Sequence, residues 1–334
     1  MMPSFGRMVL LSAILFVGCQ SEPQTAEARA LARKHSLPSS NGTHNELTLF
    51  CDRALWDADL GVILLEQLAK PMDGLPMAEP HFDLSRIDQD ATSSLTKRSK
   101  SILTLAIIPD SSSTLVLKNL WAEPQLVVAI IAPSQEALIQ RVEASLPEVI
   151  ARFDAHDAEV LARRIASTQS ATIPPSLAQF GLASMMLPKG FKTTLQQDGL
   201  AILREDTKKS IQYLLAWEQG WDGEQDPSQA ILTRQNELLV RYFEGTQDGS
   251  HLAIEPRIPV VQAYESLGGT FAYLSRGQFR TEGGFGGGPF VTYSYIDEVQ
   301  GRILNLTYLV YAPSMKKRKV MMELESSLRS VRLQ

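Results

Sequence analysis

The chain has 334 residues, of which 44% are apolar, and its formal net charge is −5. This length predicts one large or two small domains. The apolar share is sufficient for a packed core and argues against intrinsic disorder. The acidic balance argues against a nucleic-acid partner, because such a partner requires a basic stripe.

The first 19 residues have the pattern of a secretory signal that ends at a cysteine. One basic residue, Arg7, precedes an apolar run from Met8 to Val17. The run is too short to cross a bilayer, since a spanning helix needs about 20 residues. It leads into Leu15-Phe16-Val17-Gly18-Cys19, which resembles a bacterial lipoprotein signal. The alternative is an ordinary signal peptide with a chance cysteine.

The lipoprotein signal implies that residues 1–18 are removed and that Cys19 is acylated. More than one acyl chain is needed for stable attachment to a bilayer, and a multiply acylated Cys19 meets that need. Gln20, which follows the cysteine, favours the outer membrane. We therefore expect an outer-membrane lipoprotein, and we leave open whether it faces the periplasm or the cell surface. Residues 19–43 are interpreted as the lipidated cysteine and a flexible tether.

Residues 44–156 are predicted to form an N-terminal α+β unit. Cys51 ends its first strand and has no second cysteine to pair with once Cys19 is lipidated, so we expect a buried, unreactive thiol. Asp52 is a candidate N-cap of the following helix. The predicted strands are Glu46–Cys51, Ser101–Ile108, Thr114–Trp121 and Gln125–Ala132. A second helix follows Ser134, and Pro147 is expected to kink or interrupt it.

Residues 157–180 are predicted to be a helical connector, and residues 181–334 a C-terminal α+β unit. Its predicted helices lie near Pro227–Tyr242 and from Ser314 onward. Its predicted strands are Leu182–Leu187, Leu200–Arg204, Ser210–Trp217, Arg257–Tyr264, Thr270–Arg276, Phe290–Asp297 and Arg302–Tyr311. The fold class is therefore α+β, with two tandem small units whose sheets are mostly antiparallel and are packed by helices.

The two units end in a similar way. Ala132-Pro133-Ser134 and Ala312-Pro313-Ser314 each follow a predicted strand, and a glutamate lies at the same distance beyond each, Glu143 and Glu323. Proline ends a strand and serine caps a helix in both places. The match is short, so duplication of one unit and chance both remain open.

A series of short motifs occurs along the mature chain. The motifs of the N-terminal half are Asn45-Glu46-Leu47, Trp56, Lys70-Pro71, Gly74-Leu75-Pro76, Phe82-Asp83-Leu84 and Trp121-Ala122-Glu123-Pro124-Gln125-Leu126. Those of the C-terminal half are Leu187-Pro188-Lys189-Gly190-Phe191, Asp248-Gly249-Ser250, Gly287-Gly288-Pro289-Phe290-Val291, Asp297 and Tyr311-Ala312-Pro313. In this order the motifs resemble a family of Bacteroidota lipoproteins known as domain of unknown function 4837. The resemblance implies an envelope lipoprotein and carries no catalytic residues.

The glycine-rich stretch before Phe290 is the most unusual internal segment. A phosphate-binding loop would need a helix start after the glycines, whereas a proline and a strand follow here. We interpret the stretch as a loop or bulge between two strands, and as a candidate ligand-contacting or partner-contacting loop. The candidate residues are Phe285, Gly287, Gly288, Pro289 and Phe290.

The sequence contains no recognised metal, cofactor or catalytic motif. The five histidines lack metal-ligand spacing, and the serine elbow of α/β-hydrolases is absent. His81 is the best single candidate for a site residue, and a solvated loop histidine is its simpler interpretation. Trp217 and Trp221 mark a strand end, where core packing of Trp217 is weighed against contact with a partner.

The basic run Lys316–Lys319 is assigned to a solvated helix face, with contact to anionic lipid as the alternative. Taken together, these features favour a non-catalytic binding or assembly module of the cell envelope, with the lipid bilayer and an unidentified envelope protein as partners. An envelope hydrolase with unassigned residues and a structural spacer remain alternatives. No cofactor is expected.

Overall fold

The computed structural model describes residues 37–168, 173–223, 226–267 and 270–334. The predicted signal peptide, Cys19 and most of the predicted tether lie outside the described residues. The last residues of that tether join the fold, because Ser40 donates its backbone N–H to Glu123 and Asn41 donates to Arg98. None of the helices in the described part of the chain has the length and apolar character needed to span a bilayer.

The N-terminal unit is a five-stranded sheet packed by helices. Its strands are β1 (Glu46–Phe50), β2 (Asp83–Ile87), β3 (Ser101–Ile107), β4 (Ser113–Lys118) and β5 (Leu126–Ala132), and its helices are α1 (Arg53–Trp56), α2 (Asp59–Leu68) and α3 (Gln135–Thr168). Short 3₁₀ turns span Gln89–Ala91 and Thr96–Arg98. The strand order is β2-β1-β3-β5-β4.

Apolar alternation on the strands and helical spacing on α2 and α3 build the first core. One sheet face buries side chains such as Leu49, Leu103 and Val128 against the inward faces of the two helices. The inward face of α3 carries apolar residues at helical spacing, and these side chains are buried: Leu138, Val142, Leu146, Val149 and Phe153. The helix continues through Pro147, so the expected interruption does not occur.

The C-terminal unit is an eight-stranded antiparallel sheet with a small two-stranded sheet beside it. Its strands are β6 (Leu182–Ser184), β7 (Lys192–Gln197), β8 (Leu200–Asp206), β9 (Ile211–Gly220), β10 (His251–Ile254), β11 (Val261–Leu267), β12 (Thr270–Glu282), β13 (Gly287–Asp297), β14 (Arg302–Tyr311) and β15 (Arg332–Leu333). Its helices are α4 (Pro175–Ala178), α5 (Ser228–Tyr242) and α6 (Arg318–Arg329).

The large sheet is covered on both faces. One face packs its alternate residues against α6, whose Met321, Leu324 and Leu328 are buried. The opposite face packs against α5 through Ile231 and Leu238. Strands covered on both faces are apolar nearly throughout, which is why β14 was predicted at its observed bounds.

The α+β class and the two tandem units are confirmed. Antiparallel pairing predominates over the described chain, but the N-terminal sheet departs from the expectation, because β1 pairs in parallel with β2 and β3, and β3 with β5. The connection from β1 to β2 contains α1 and α2, and such a helical crossover favours parallel pairing of the two strands. The two units therefore have different topologies, and the matched Ala-Pro-Ser spacing does not reflect a shared fold.

Candidate functional site

The first turn of α6 is seated on the N-terminal unit. The carboxylate of Glu79 accepts the backbone N–H groups of Lys317 and Arg318 at 2.7 and 3.1 Å. Glu79 is only 3% exposed. Free N–H groups and the helix dipole make a helix start attractive to a negative charge. A residue of one unit thus caps a helix of the other.

The basic run at this helix start is part of the junction between the units. Arg318 is 2% exposed, and its guanidinium contacts the carbonyl oxygen of Pro80 and the carboxylate of Asp83. The prediction of a solvated or lipid-facing basic run is therefore wrong for Lys317 and Arg318. The sequence pattern misled because the acidic partners come from a distant part of the chain.

A second set of contacts continues the junction along β1. The ammonium of Lys319 lies 3.0 Å from Glu46, and a ring nitrogen of His44 contacts the Lys319 carbonyl at 3.1 Å. Partial burial raises the pKa of Glu46, but hydrogen bonds from Thr43 and Lys319 outweigh it and lower the pKa to about 2. Burial also lowers the pKa of His44, which favours the neutral ring.

A buried charge cluster lies on the sheet side of α6. The Glu325 carboxylate pairs with Arg276 and, at 3.0 Å, with Arg329, and it accepts the Tyr293 hydroxyl at 2.9 Å. Arg329 also pairs with Glu265 at 2.8 Å. Two guanidinium groups thus face two carboxylates, and the cluster is charge-balanced.

Burial and this pairing together shift the pKa values of the cluster from their usual values. Burial acts to raise the pKa of Glu325, yet the two neighbouring arginines hold it below the usual value. Burial raises the pKa of Tyr293 far above its usual value, so the phenol stays protonated. The cluster therefore holds its carboxylate ionised and its phenol neutral.

A small cavity of about 70 Å³ separates this cluster from the N-terminal unit. His81 and Asp154 line it and form a 2.7 Å contact through the ring Nε2 atom. Ser326 also lines it, but its hydroxyl donates to the Ala158 carbonyl at 3.2 Å. Nucleophilic catalysis by serine requires a hydrogen bond from the hydroxyl to the histidine base. Among the described residues, Ser326 and His81 make no such bond.

The cavity has little room for an organic substrate. Ligand pockets typically enclose about 300–1,000 Å³, which is several times the volume found here. Among the described residues, no three His, Cys, Asp or Glu side chains group in a metal-binding arrangement. The junction thus has the chemistry of a structural interface, in which most ionisable groups are committed to one another.

The predicted glycine-rich loop is the turn of the β12–β13 hairpin. Phe285 stands at its tip and is 84% exposed. Gly288 and Pro289 lie in β13, and Phe290 is buried in the core. A Cβ on Gly288 would lie 1.9 Å from the Val310 carbonyl oxygen, so this glycine permits close strand packing. The role of the loop in binding stays a prediction.

Cys51 is buried and free of a disulfide, as predicted. Burial raises its thiol pKa to about 11. A thiolate is the reactive form of cysteine, so this residue is a packed core side chain.

An apolar edge lies on the N-terminal sheet. β4 is last in the strand order, and within the described residues its outer edge pairs with no other strand. Leu115, Val116 and Leu117 on this strand are 45, 38 and 37% exposed. Edge strands with consecutive exposed apolar side chains are unusual, because they offer unpaired backbone groups to other chains. We call these three residues the β4 edge.

The fold and the junction define a two-unit α+β protein whose units are joined through a capped helix. Residues 175–330 match the family model described as Domain of unknown function (DUF4837). Residues 40–166 match a separate model, Domain of unknown function (DUF8532). The resemblance to domain of unknown function 4837 is thereby confirmed over the C-terminal unit. No curated protein matches the chain.

Sequence reasoning singled out His81 but missed most of the junction. Glu79 and Lys317 are 238 residues apart, and no local pattern links them. Arg276 and Glu325 come from a strand and a helix of the same unit, and each has an ordinary sequence context. The exposed face of β4 could have been suspected, because three consecutive apolar residues depart from strand alternation.

Proposed function

We propose that this chain is an outer-membrane lipoprotein held by acylated Cys19, whose folded part is a non-catalytic module that binds an envelope protein. The signal-like segment that ends at Cys19 supports the anchor. The junction supports the non-catalytic assignment, because its acids and bases are paired with each other. The β4 edge supports the binding role and is the observation that carries the proposal.

The partner that fits the β4 edge is an extended protein segment. A strand added beside β4 would pair with its unpaired backbone N–H and C=O groups, as in β-augmentation. Register places Leu115 opposite Ala129 and Leu117 opposite Val127, so both point to the sheet face that α2 and α3 leave uncovered. Apolar side chains on an added strand would cover Leu115 and Leu117 there, while backbone pairing would extend the sheet.

Site-specific photo-crosslinking in cells tests this proposal. A photoreactive phenylalanine analogue replaces Leu115, and a matched control carries it at Val299, which is 97% exposed on the opposite unit. We expect a product with one envelope protein from position 115 alone, mapped to an extended segment of that protein. Products from neither position would favour a structural spacer. A crosslinked product of twice the chain mass would show that the partner on the β4 edge is a second copy of this chain and not another envelope protein.

The anchor is tested separately. Mass spectrometry of the mature N-terminus is expected to show an acylated Cys19, and Cys19→Ser is expected to release the protein from the membrane fraction. A mature protein that begins elsewhere or carries no acyl chain would refute the anchor and leave the β4 edge proposal standing.

A further inference from the structure

A groove on the C-terminal unit shares no lining residue with the cavity at the junction. It has a volume of about 570 Å³, within the range typical of ligand sites. Its walls are the Asp198-Gly199 turn between β7 and β8, the end of β9, the start of β14 and one side of α5. Gly199 and Gly301 adopt positive φ angles of 66° and 59°, which lets both turns reverse tightly at the groove mouth. We call it the strand-end groove.

Trp217 lines the strand-end groove and carries an unused donor. Its side chain is 1% exposed, and its indole nitrogen is buried with no hydrogen-bond partner among the described residues. A buried donor without an acceptor costs free energy, and buried indole N–H groups usually have a partner. A ligand oxygen placed in the groove could supply that missing acceptor after a small shift of the groove wall.

The groove rim supplies both donors and acceptors. The Tyr242 hydroxyl donates to the Gln197 side-chain oxygen at 3.2 Å, and Gln197 is exposed at the rim, so its amide nitrogen can supply a donor to a ligand. Arg234 on α5 is half exposed, with one guanidinium nitrogen on Glu237 at 2.8 Å. Planar amide and guanidinium groups can bond two neighbouring oxygens at once.

The charges of the groove balance. Asp198 and Glu218 are acidic, and Arg234 and Arg302 are basic. Arg302 pairs with Glu218 at 2.5 Å. A site for a phosphate or carboxylate would have excess positive charge, and a site for an amine would have excess negative charge. A balanced set of donors and acceptors fits a neutral ligand that both donates and accepts.

We propose that the strand-end groove binds a saccharide. Vicinal hydroxyls offer paired donors and acceptors to the planar side chains, and a ring oxygen or hydroxyl offers an acceptor to Trp217. This site goes beyond the proposed function, because it requires neither the lipid anchor nor a protein on the β4 edge.

Titration of the full-length protein with N,N′-diacetylchitobiose and with cellobiose tests the site by calorimetry and tryptophan fluorescence. The detergent must lack a sugar headgroup, which would compete. We expect saturable binding, and Trp217→Phe is expected to weaken it about tenfold by removing one donor. Trp121→Phe, a half-buried tryptophan of the other unit, is the matched control and should bind like the wild type.

A second variant guards against misfolding. Gln197→Ala changes an exposed rim residue and is expected to weaken binding while leaving the melting temperature unchanged. Pelleting with isolated peptidoglycan distinguishes a glycan polymer from a free sugar. If the protein binds peptidoglycan but neither free disaccharide, and Trp217→Phe abolishes that binding, the groove is a saccharide site that recognises the polymer. Binding of neither probe nor polymer would overturn the proposal, as would unchanged binding by both variants. Preference for glucose 6-phosphate over glucose would also overturn it, because it indicates an anion site.

Discussion

Removal of the Glu79 carboxylate is expected to loosen the junction between the two units. Glu79→Ala deletes the acceptor of two backbone hydrogen bonds and leaves both N–H groups at residues that are 5% and 2% exposed. Hydrogen bonds to a charged group contribute about 1.5–3 kcal/mol each, and a partly buried charge at a helix start contributes up to about 2 kcal/mol. These contributions overlap, so we expect the free energy of unfolding to fall by about 2–4 kcal/mol.

Glu79→Gln separates charge from shape. The amide keeps one acceptor oxygen but carries no negative charge. The free energy of unfolding should therefore fall by about half as much as in the alanine variant, or about 1–2 kcal/mol. Glu66→Ala is the matched control, because Glu66 lies on the same unit and is exposed. Exposed substitutions usually change stability by less than about 0.5 kcal/mol.

Urea unfolding followed by circular dichroism and tryptophan fluorescence measures these losses. Each unit contains two of the four tryptophans, with Trp56 and Trp121 in the first and Trp217 and Trp221 in the second. If the junction couples the units, single-tryptophan variants should show transitions that coincide in the wild type and separate in Glu79→Ala. A Glu79→Ala loss no larger than that of Glu66→Ala would refute the assigned role of the carboxylate.

Three further predictions concern single positions. Cys51 should resist maleimide labelling in the native protein and react fully in denaturant, because its pKa is raised to about 11 by burial; rapid native labelling would contradict its core position. Gly288→Ala should cost about 3 kcal/mol or more by thermal unfolding, since the new Cβ would meet a backbone oxygen of β14 at 1.9 Å. Gly220→Ala should be tolerated, because no atom of the described part of the chain lies within 4 Å of its added Cβ. Partial burial raises the pKa of Glu46, but hydrogen bonds lower it overall to about 2 from 4.5. Its stabilisation is therefore complete above the unfolded pKa and is lost as pH falls from 4.5 towards 2. Solvent screening should limit the effect to less than about 1 kcal/mol, and Glu46→Gln should flatten the measured dependence of unfolding free energy on pH in that interval.

Elements with a strong apolar pattern were predicted close to their observed bounds. β14 and β5 are long apolar runs bounded by proline or glycine, and α5 follows a proline and a capping aspartate at helical spacing. β2, β7, β10 and β15 were missed because each is short. The side chains of β2 and β7 are also polar or only partly buried, and β10 has only four residues, too few for a clear alternation. Backbone pairing with a neighbour, rather than a local pattern, makes these segments strands.

Local sequence patterns could not predict whether the strands of the N-terminal sheet pair in parallel or antiparallel. A run such as Ile102–Ile107 alternates no differently whether its neighbour is parallel or antiparallel, so the choice depends on where the connections travel. The segment from β1 to β2 contains α2 and passes back along the sheet, which delivers β2 in parallel with β1. Only the placement of that helix, fixed by its packing in the core, decides the topology.

The junction explains why the basic run was misjudged and what it contributes. Four consecutive basic residues at the start of an amphipathic helix are ordinarily solvated, since burying a charge is costly without a partner. Here the partners exist, and Arg318 meets Asp83 while Glu79 meets the helix start. A buried ion pair adds little net stability, but an unpaired buried charge is strongly unfavourable. The arrangement therefore penalises every other docking of α6, and it selects one relative orientation of two units that match separate family models.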